Sequence, residues 1–172
     1  MKLVLLGDEQ LTKNCDPVTD FNEELSKTVQ SMFQLMREEN GIGLAAPQVG
    51  IQKRFFVVQL DDGVERVFIN PEIIQTSQEL CTMEEGCLSI PKFYANVSRA
   101  KTIRMQFLDL AAKPHVIEAT GLLARVIQHE NDHLNGVLFI DRIAPEQKKE
   151  AIALVEKRKN SFFNKLKLKR NK

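Results

Sequence analysis

Two histidines and a glutamate occur in residues 129–133 as HENDH, a pattern that can bind a metal ion and use it. Residues four apart lie on one face of an α-helix, so the imidazoles of His129 and His133 can reach the same ion. Glu130 would then stand beside the metal, where a carboxylate can accept and return a proton. The chain has only three histidines, so chance explains this pairing poorly. The pattern predicts a metal-dependent hydrolytic site on a helix.

The third protein ligand decides the class of enzyme, because a catalytic site commonly has three protein ligands and a water. Extended HExxH motifs carry a third histidine at the position that Phe139 occupies here. Because phenylalanine cannot bind a metal ion, the sequence excludes that class of metalloenzyme. Glu150 and Glu156 lie downstream in a Lys-rich segment, and either would make an HExxH metallopeptidase. Cys87 is the upstream candidate, since a thiolate binds divalent transition metals well, although a lone cytosolic cysteine is more often a small core residue.

Three segments together resemble one enzyme family: GIGLAAPQ at 41–48, EGCLS at 85–89 and QHENDH at 128–133. They resemble the signature motifs of the bacterial peptide deformylases in order and separation, from the first helix to about Arg142. The resemblance implies that Cys87, His129 and His133 hold one divalent metal ion, typically Fe(II), where Zn, Ni or Co can also bind. It implies the reaction as well, which is removal of the N-formyl group from the initiator methionine of a new polypeptide, with release of formate.

Catalytic roles follow from the same resemblance. Glu130 would accept a proton from water and pass it to the departing amine. The Gln48 side-chain amide and the Leu88 backbone N–H would stabilise the negative charge that develops on the formyl oxygen. Glu85 and Arg99 form either an ion pair near the metal or an ordinary surface pair, which would stabilise the protein little.

Substrate contacts are also implied. Ile42 and Gly43 would offer backbone hydrogen bonds to an extended peptide. Leu122 and Val126 lie on the helical turns before His129, so they can line an apolar methionine pocket, although core packing explains them too. Tyr94 stands at or near a position where many family members carry an arginine that contacts substrate, which leaves this contact open.

Periodicity indicates an α+β fold, with antiparallel sheets packed around a central metal-binding helix and further helices at the N- and C-termini. The predicted helices are 21–40, 121–135 and one that begins at Pro145 and buries Ile152, Leu154 and Val155. A glycine-rich loop is expected at 41–50. The predicted strands are 54–60, 64–69 (closed by Pro71), 102–107 and 115–119.

Composition excludes several classes of protein. The 172 residues are 43% apolar and 27% charged with a net charge of +1, which is typical of a globular chain and gives no bulk attraction to DNA or lipid. No apolar run approaches the roughly 18 residues of a membrane helix, and the start lacks a signal-peptide core. Three cysteines without a secretory signal favour the cytoplasm. We expect one domain over residues 1–172, with a basic C-terminal helix or tail at about 144–172.

That C-terminal segment carries ten Lys/Arg and three Asp/Glu, a charge of +7 against −6 for the rest of the chain. A solvated helix end explains this, and contact with ribosomal RNA through 165–172 is the functional hypothesis. A non-enzymatic alternative is a binding module with an RNA-binding tail and a structural metal. Such a site needs a fourth ligand, for which only His115 or Cys81 is available.

Overall fold

A five-stranded antiparallel sheet and a separate two-stranded hairpin enclose one helix in the computed structural model, which describes the backbone of residues 1–170 and the side chains of residues 1–157. The helices are α1 Glu23–Glu38, α2 Gly121–Leu134 and α3 Pro145–Arg170. The strands are β1 Gly43–Ala45, β2 Phe55–Gln59, β3 Glu65–Thr76, β4 Leu80–Cys87, β5 Ile90–Ala100, β6 Thr102–Leu108 and β7 Pro114–Thr120. The large sheet has the order β1-β2-β3-β6-β7, and β4 pairs only with β5. The predicted α+β fold, with antiparallel sheets packed around a central helix, is confirmed.

Both faces of the large sheet are covered, which explains why β2 is apolar throughout. Phe56 and Val58 point into a core shared with α2, whereas Phe55 and Val57 point into a core shared with α1. Alternate residues of a strand face opposite sides, so a strand with helices on both sides buries every position. The sheet therefore separates α1 from α2 and holds α2 in the interior.

The β4–β5 hairpin has its own core, in which Ile90 and Val97 pack with Phe139, Ala151 and Val155. The sequence predicted neither strand. Of the three residues expected to face the core from α3, Val155 is buried and Leu154 is half-buried. Ile152 is 38% exposed instead, because Ala151 takes the inward position next to it. The side chains of residues 165–172, to which the tail hypothesis refers, lie outside those that the structure describes.

Two helix ends position the site, and both have the paired hydrogen bonds of a Schellman motif. At the end of α2, Gly136 (φ +68°) is the left-handed residue. At the end of α1 the left-handed residue is Asn40 (φ +56°), and the N–H of Gly41 donates to the carbonyl of Met36 at 2.8 Å. The chain then enters β1 and the 3₁₀ helix Ala46–Val49 where a loop was expected.

Pro71 does not end its strand as predicted, since β3 continues to Thr76. The pairing of β3 with β6 shifts register between Ile69 and Glu72, and Asn70 there has a positive φ of +48°. A proline lacks an N–H and is tolerated at such an irregularity.

Among the described residues, no helix combines the length and apolarity needed to cross a membrane.

Candidate metal centre

Three ligand-type side chains from two elements meet beside the large sheet. The α2 helix supplies His129 and His133, whose ring centroids are 5.1 Å apart, and the end of β4 supplies Cys87. The Cys87 sulfur lies 3.3 Å from Nε2 of His133. One ligand atom from each of the three residues lies within 4.8 Å of the others, the only such group in the described part of the chain. One thiolate and two imidazoles suit a transition metal such as zinc or iron.

Glu85 sets the orientation of His129. Nδ1 of His129 lies 2.9 Å from Oε2 of Glu85, which leaves Nε2 for a metal. Arg99 holds the same carboxylate through two hydrogen bonds, of 2.6 and 2.9 Å, and both side chains are almost fully buried. A carboxylate behind a ligating histidine is a common feature of protein metal sites, and it fixes the tautomer of the ring. The predicted Glu85–Arg99 pair is therefore part of the site rather than a surface pair.

Buried charges around the ligands favour a cation. Burial alone would raise the pKa of Glu85, but hydrogen bonds from Arg99 and His129 hold it well below its usual range. Burial opposes a charged His129, but hydrogen bonds to Cys87 and Glu85 raise its pKa to about 10. Burial and the charge of His129 lower the pKa of His133. The ionised Glu85 carboxylate thus lies directly behind the ligands, and the donor set fits a divalent metal ion.

Glu130 lies on the same helix with its carboxylate directed into the site. It is 4% exposed, and its Oε2 has no hydrogen-bond partner among the described residues. Burial raises its pKa to about 7, although the charge of His129 opposes the shift. A carboxyl group that titrates near neutral pH is suited to exchanging protons with a reacting water. Gly43 of β1 packs against it, and a Cβ at Gly43 would lie 2.8 Å from Val126 and collide with the Glu130 carboxylate.

Gln48 is held in the site by three polar neighbours. Its Oε1 accepts from the N–H of Ala45 at 2.8 Å, so its Nε2 is directed towards Ser89 at 3.2 Å and Cys87 at 3.4 Å. Leu88 follows Cys87, and its side chain packs over Gly41, where a Cβ would lie 2.8 Å away. An amide donor thus stands next to the cysteine with its orientation fixed.

A cleft of about 840 Å³ opens onto these residues. Apart from His133, the site residues predicted from the sequence all line it: Ile42, Gly43, Gln48, Cys87, Leu88, Leu122, Val126, His129 and Glu130. Val126 is buried and Leu122 is 43% exposed, so the two form an inner and an outer part of one wall. Tyr94, 63% exposed, also lines the cleft and lies against Gly86.

The alternative ligands lie elsewhere. Glu150 and Glu156 are exposed on α3 and do not belong to the Cys87 group, so the metallopeptidase interpretation loses its third ligand. His115 pairs with Asp109 at the surface, 2.8 Å away. Cys81 is likewise not in the ligand group, so the described residues supply no fourth protein ligand for a structural metal.

Two buried charged residues were not found from the sequence. Arg125 donates to Oε1 of Glu85 at 2.8 Å, and Asp132 accepts from Arg99 at 2.6 Å and from Arg142. Both belong to α2, where charged residues are expected on the exposed face of the helix. The available signal was spacing, since Arg125 precedes His129 by four residues and therefore shares its helix face.

A buried His/Glu/His helix completed by a cysteine at the base of a cleft defines a metal-dependent hydrolase. The sequence model of the polypeptide deformylase family matches residues 1–149. Peptide deformylase of Treponema pallidum (strain Nichols) is 47% identical over 152 residues, which are 88% of this chain and 93% of that protein. Peptide deformylase 1 of Clostridium perfringens is 53% identical over 135 residues, 78% and 91% of the two chains.

Solved structures agree. A peptide deformylase from Synechococcus elongatus, crystallised in complex with actinonin, superposes with a TM-score of 0.86 at 42% identity, covering 90% of this chain and 87% of that one. The Thermotoga maritima peptide deformylase has a TM-score of 0.81 at 45% identity, covering 84% and 97%. The chain belongs to the polypeptide deformylase family, whose activity is the metal-dependent deformylation of nascent polypeptides.

Proposed function

We propose that this chain deformylates N-formylmethionyl polypeptides with Cys87, His129 and His133 as metal ligands and Glu130 as the acid–base residue. The observation that carries the proposal is the grouping of the three ligand atoms within 4.8 Å, with the buried Glu130 beside them. A metal held there supplies a Lewis acid that polarises a carbonyl group and makes water a better nucleophile near neutral pH.

Glu130 moves the proton. Its carboxylate accepts a proton from the water that adds to the formyl carbon, and it returns that proton to the amine as the C–N bond breaks. The products are formate and a free N-terminal methionine. Nε2 of Gln48 and the N–H of Leu88 donate to the formyl oxygen as its negative charge grows. Because Ala45 fixes the Gln48 amide at 2.8 Å, this donor needs little reorganisation during the reaction.

The methionine side chain is held by the wall formed by Leu122 and Val126, and the backbone of Ile42 and Gly43 bonds the extended peptide. All four residues line the cleft. Gly43 is required because a side chain there would enter the space of Glu130 and Val126.

Fe(II) is the proposed physiological metal, and the mixed sulfur and nitrogen donors also accept Zn, Ni or Co. The test combines metal analysis with an assay of formate release from a formyl-Met peptide, using anaerobically purified protein. We expect one metal ion per chain and activity that depends on the formyl group. Cys87→Ala is expected to lose both metal and activity. Retention of metal by Cys87→Ala would refute the ligand set, and hydrolysis of unformylated peptides would support a metallopeptidase.

The substrates are nascent chains, so we place the enzyme in the cytoplasm and propose that residues 165–172 contact ribosomal RNA. The +7 charge of the last 29 residues, 144–172, supports this, because binding to phosphates is electrostatic and weakens with salt. Deleting residues 165–172 is expected to reduce co-sedimentation with ribosomes at low salt and to leave turnover of a short formyl peptide unchanged. Co-sedimentation that survives the deletion contradicts the contact.

A further inference from the structure

Arg125 is a buried cation on α2 that reaches both strands of the β4–β5 hairpin. It is 5% exposed and lies four residues before His129. Its NH1 donates at 2.8 Å to the carbonyl of Val97 on β5, and its NH2 donates to the carbonyl of Cys81 on β4. One guanidinium group therefore connects the helix that carries the two histidines with the hairpin that carries Cys87.

This connection matters because the hairpin has no backbone pairing with the large sheet. Strands β4 and β5 form their own two-stranded sheet, with Cys87 at the end of β4. The distance between the cysteine and the histidines thus depends on side-chain packing and on side-chain ion pairs between hairpin and helix. Arg125 supplies three hydrogen bonds between helix and hairpin, to Val97, Cys81 and Glu85. The Arg99–Asp132 pair at 2.6 Å, the His129–Glu85 bond at 2.9 Å and a bond from Gln128 to the carbonyl of Ala100 at 2.9 Å supply further ones.

Arg125 also fixes the carboxylate that orients His129. It donates to Oε1 of Glu85 at 2.8 Å, while Nδ1 of His129 bonds to Oε2 at 2.9 Å. Arg99 bonds both oxygens from another side. Because both oxygens accept hydrogen bonds, the carboxylate cannot rotate without breaking one of them. These bonds are charge-assisted and therefore stronger than hydrogen bonds between neutral groups.

We propose that Arg125 is a positioning residue for the metal centre: it holds Glu85 behind His129 and fixes the Cys87 hairpin against α2, so that the three ligands are pre-arranged. The inference rests on the proposed ligand set. Partners behind metal ligands typically change metal affinity about 10- to 100-fold when they are mutated. The expected effect of losing Arg125 is therefore on metal affinity and on the geometry around the thiolate.

The test uses the cobalt-substituted full-length protein and titration with a chelator. Arg125→Met keeps the length of the side chain but removes its donors, and we expect Co(II) affinity about 10- to 100-fold weaker than in the wild type, with a shifted thiolate-to-cobalt absorption band. Arg125→Lys keeps the charge with a single donor group, and its expected loss is smaller, about 3- to 10-fold. This partial rescue keeps the proposal testable if Arg125→Met folds poorly.

A matched control separates positioning from general stability. Met32 is fully buried on α1, across the large sheet from α2, so Met32→Ala should lower the thermal unfolding midpoint without changing Co(II) affinity or its spectrum. If Arg125→Met and Arg125→Lys both bind Co(II) within about twofold of wild type while Cys87→Ala does not bind it, the role of Arg125 is wrong. If Cys87→Ala binds Co(II) as the wild type does, the proposed ligand set itself is wrong.

Discussion

Replacing Glu130 with glutamine tests the acid–base assignment most directly. Glutamine has nearly the same shape as glutamate but cannot accept and return the proton, so Glu130→Gln should keep its metal and lose turnover. General acid–base catalysis contributes about 100- to 10,000-fold in rate, or roughly 2.7–5.5 kcal/mol of transition-state free energy. The expected loss lies in the upper half of that range.

We expect a rate loss in the upper half of this range because the neighbouring carboxylates already form ion pairs and cannot replace Glu130. Glu85 is bonded by Arg99, Arg125 and His129, and Asp132 is bonded by Arg99 and Arg142. Neither can take over the proton without breaking buried ion pairs. Among the buried carboxylate oxygens of the described residues, only Oε2 of Glu130 has no hydrogen-bond partner.

The measurement is kcat for formate release from a formyl-Met peptide, with metal content determined on the same samples. Glu79→Gln is a matched control, since Glu79 is exposed and pairs with Lys101 at the far end of the hairpin. It should turn over like the wild type. A Glu130→Gln variant that keeps its metal and retains more than about a tenth of wild-type kcat would refute the proton-transfer role.

Three further predictions concern stability and reactivity. Gly136→Ala should lower the free energy of unfolding in urea by more than Gly63→Ala: both glycines have φ near +68°, but only at Gly136 would a Cβ lie 2.5 Å from the Thr12 carbonyl, and equal losses would contradict this. Burial raises the pKa of Cys15 to about 11, so its thiol should react with Ellman's reagent at pH 8 at least about 100-fold more slowly than free cysteine. Iron-loaded enzyme should lose activity in peroxide faster than zinc-loaded enzyme, because Fe(II) is itself oxidised, and equal rates would argue against damage centred on the metal.

Local signals in the sequence predicted the elements whose side chains follow a regular period. The α2 helix and its HENDH motif were predicted because Leu123, Val126 and Ile127 recur at helical spacing. Strand β6 was predicted because Ile103 and Met105 alternate with polar residues. In β6 the buried positions are apolar, and in α2 apolar residues recur at helical spacing even though charged residues are buried beside them. The pattern in one segment is therefore sufficient to identify each element.

The hairpin could not be predicted in this way, since its buried positions include charged residues. Glu85 on β4 and Arg99 on β5 point inward and pair with each other and with α2. Their burial makes sense only when partners 14 to 44 residues away are known, and a single segment does not contain that information. The ion pair itself was inferred only through the family resemblance. The length of β3 was missed for a related reason, because a bulge at Asn70 accommodates Pro71.

The division of the ligands between hairpin and helix has a consequence for the unfolded chain. Cys87 and His133 are 46 residues apart in sequence. A metal ion that binds both closes this segment into a loop, and closing a loop of that length in a denatured chain costs about 4 kcal/mol of conformational entropy. An ion held by the proposed ligands would therefore act as a removable cross-link, with a stabilising effect in the range of a disulfide. Unlike a disulfide, it keeps its cysteine reduced.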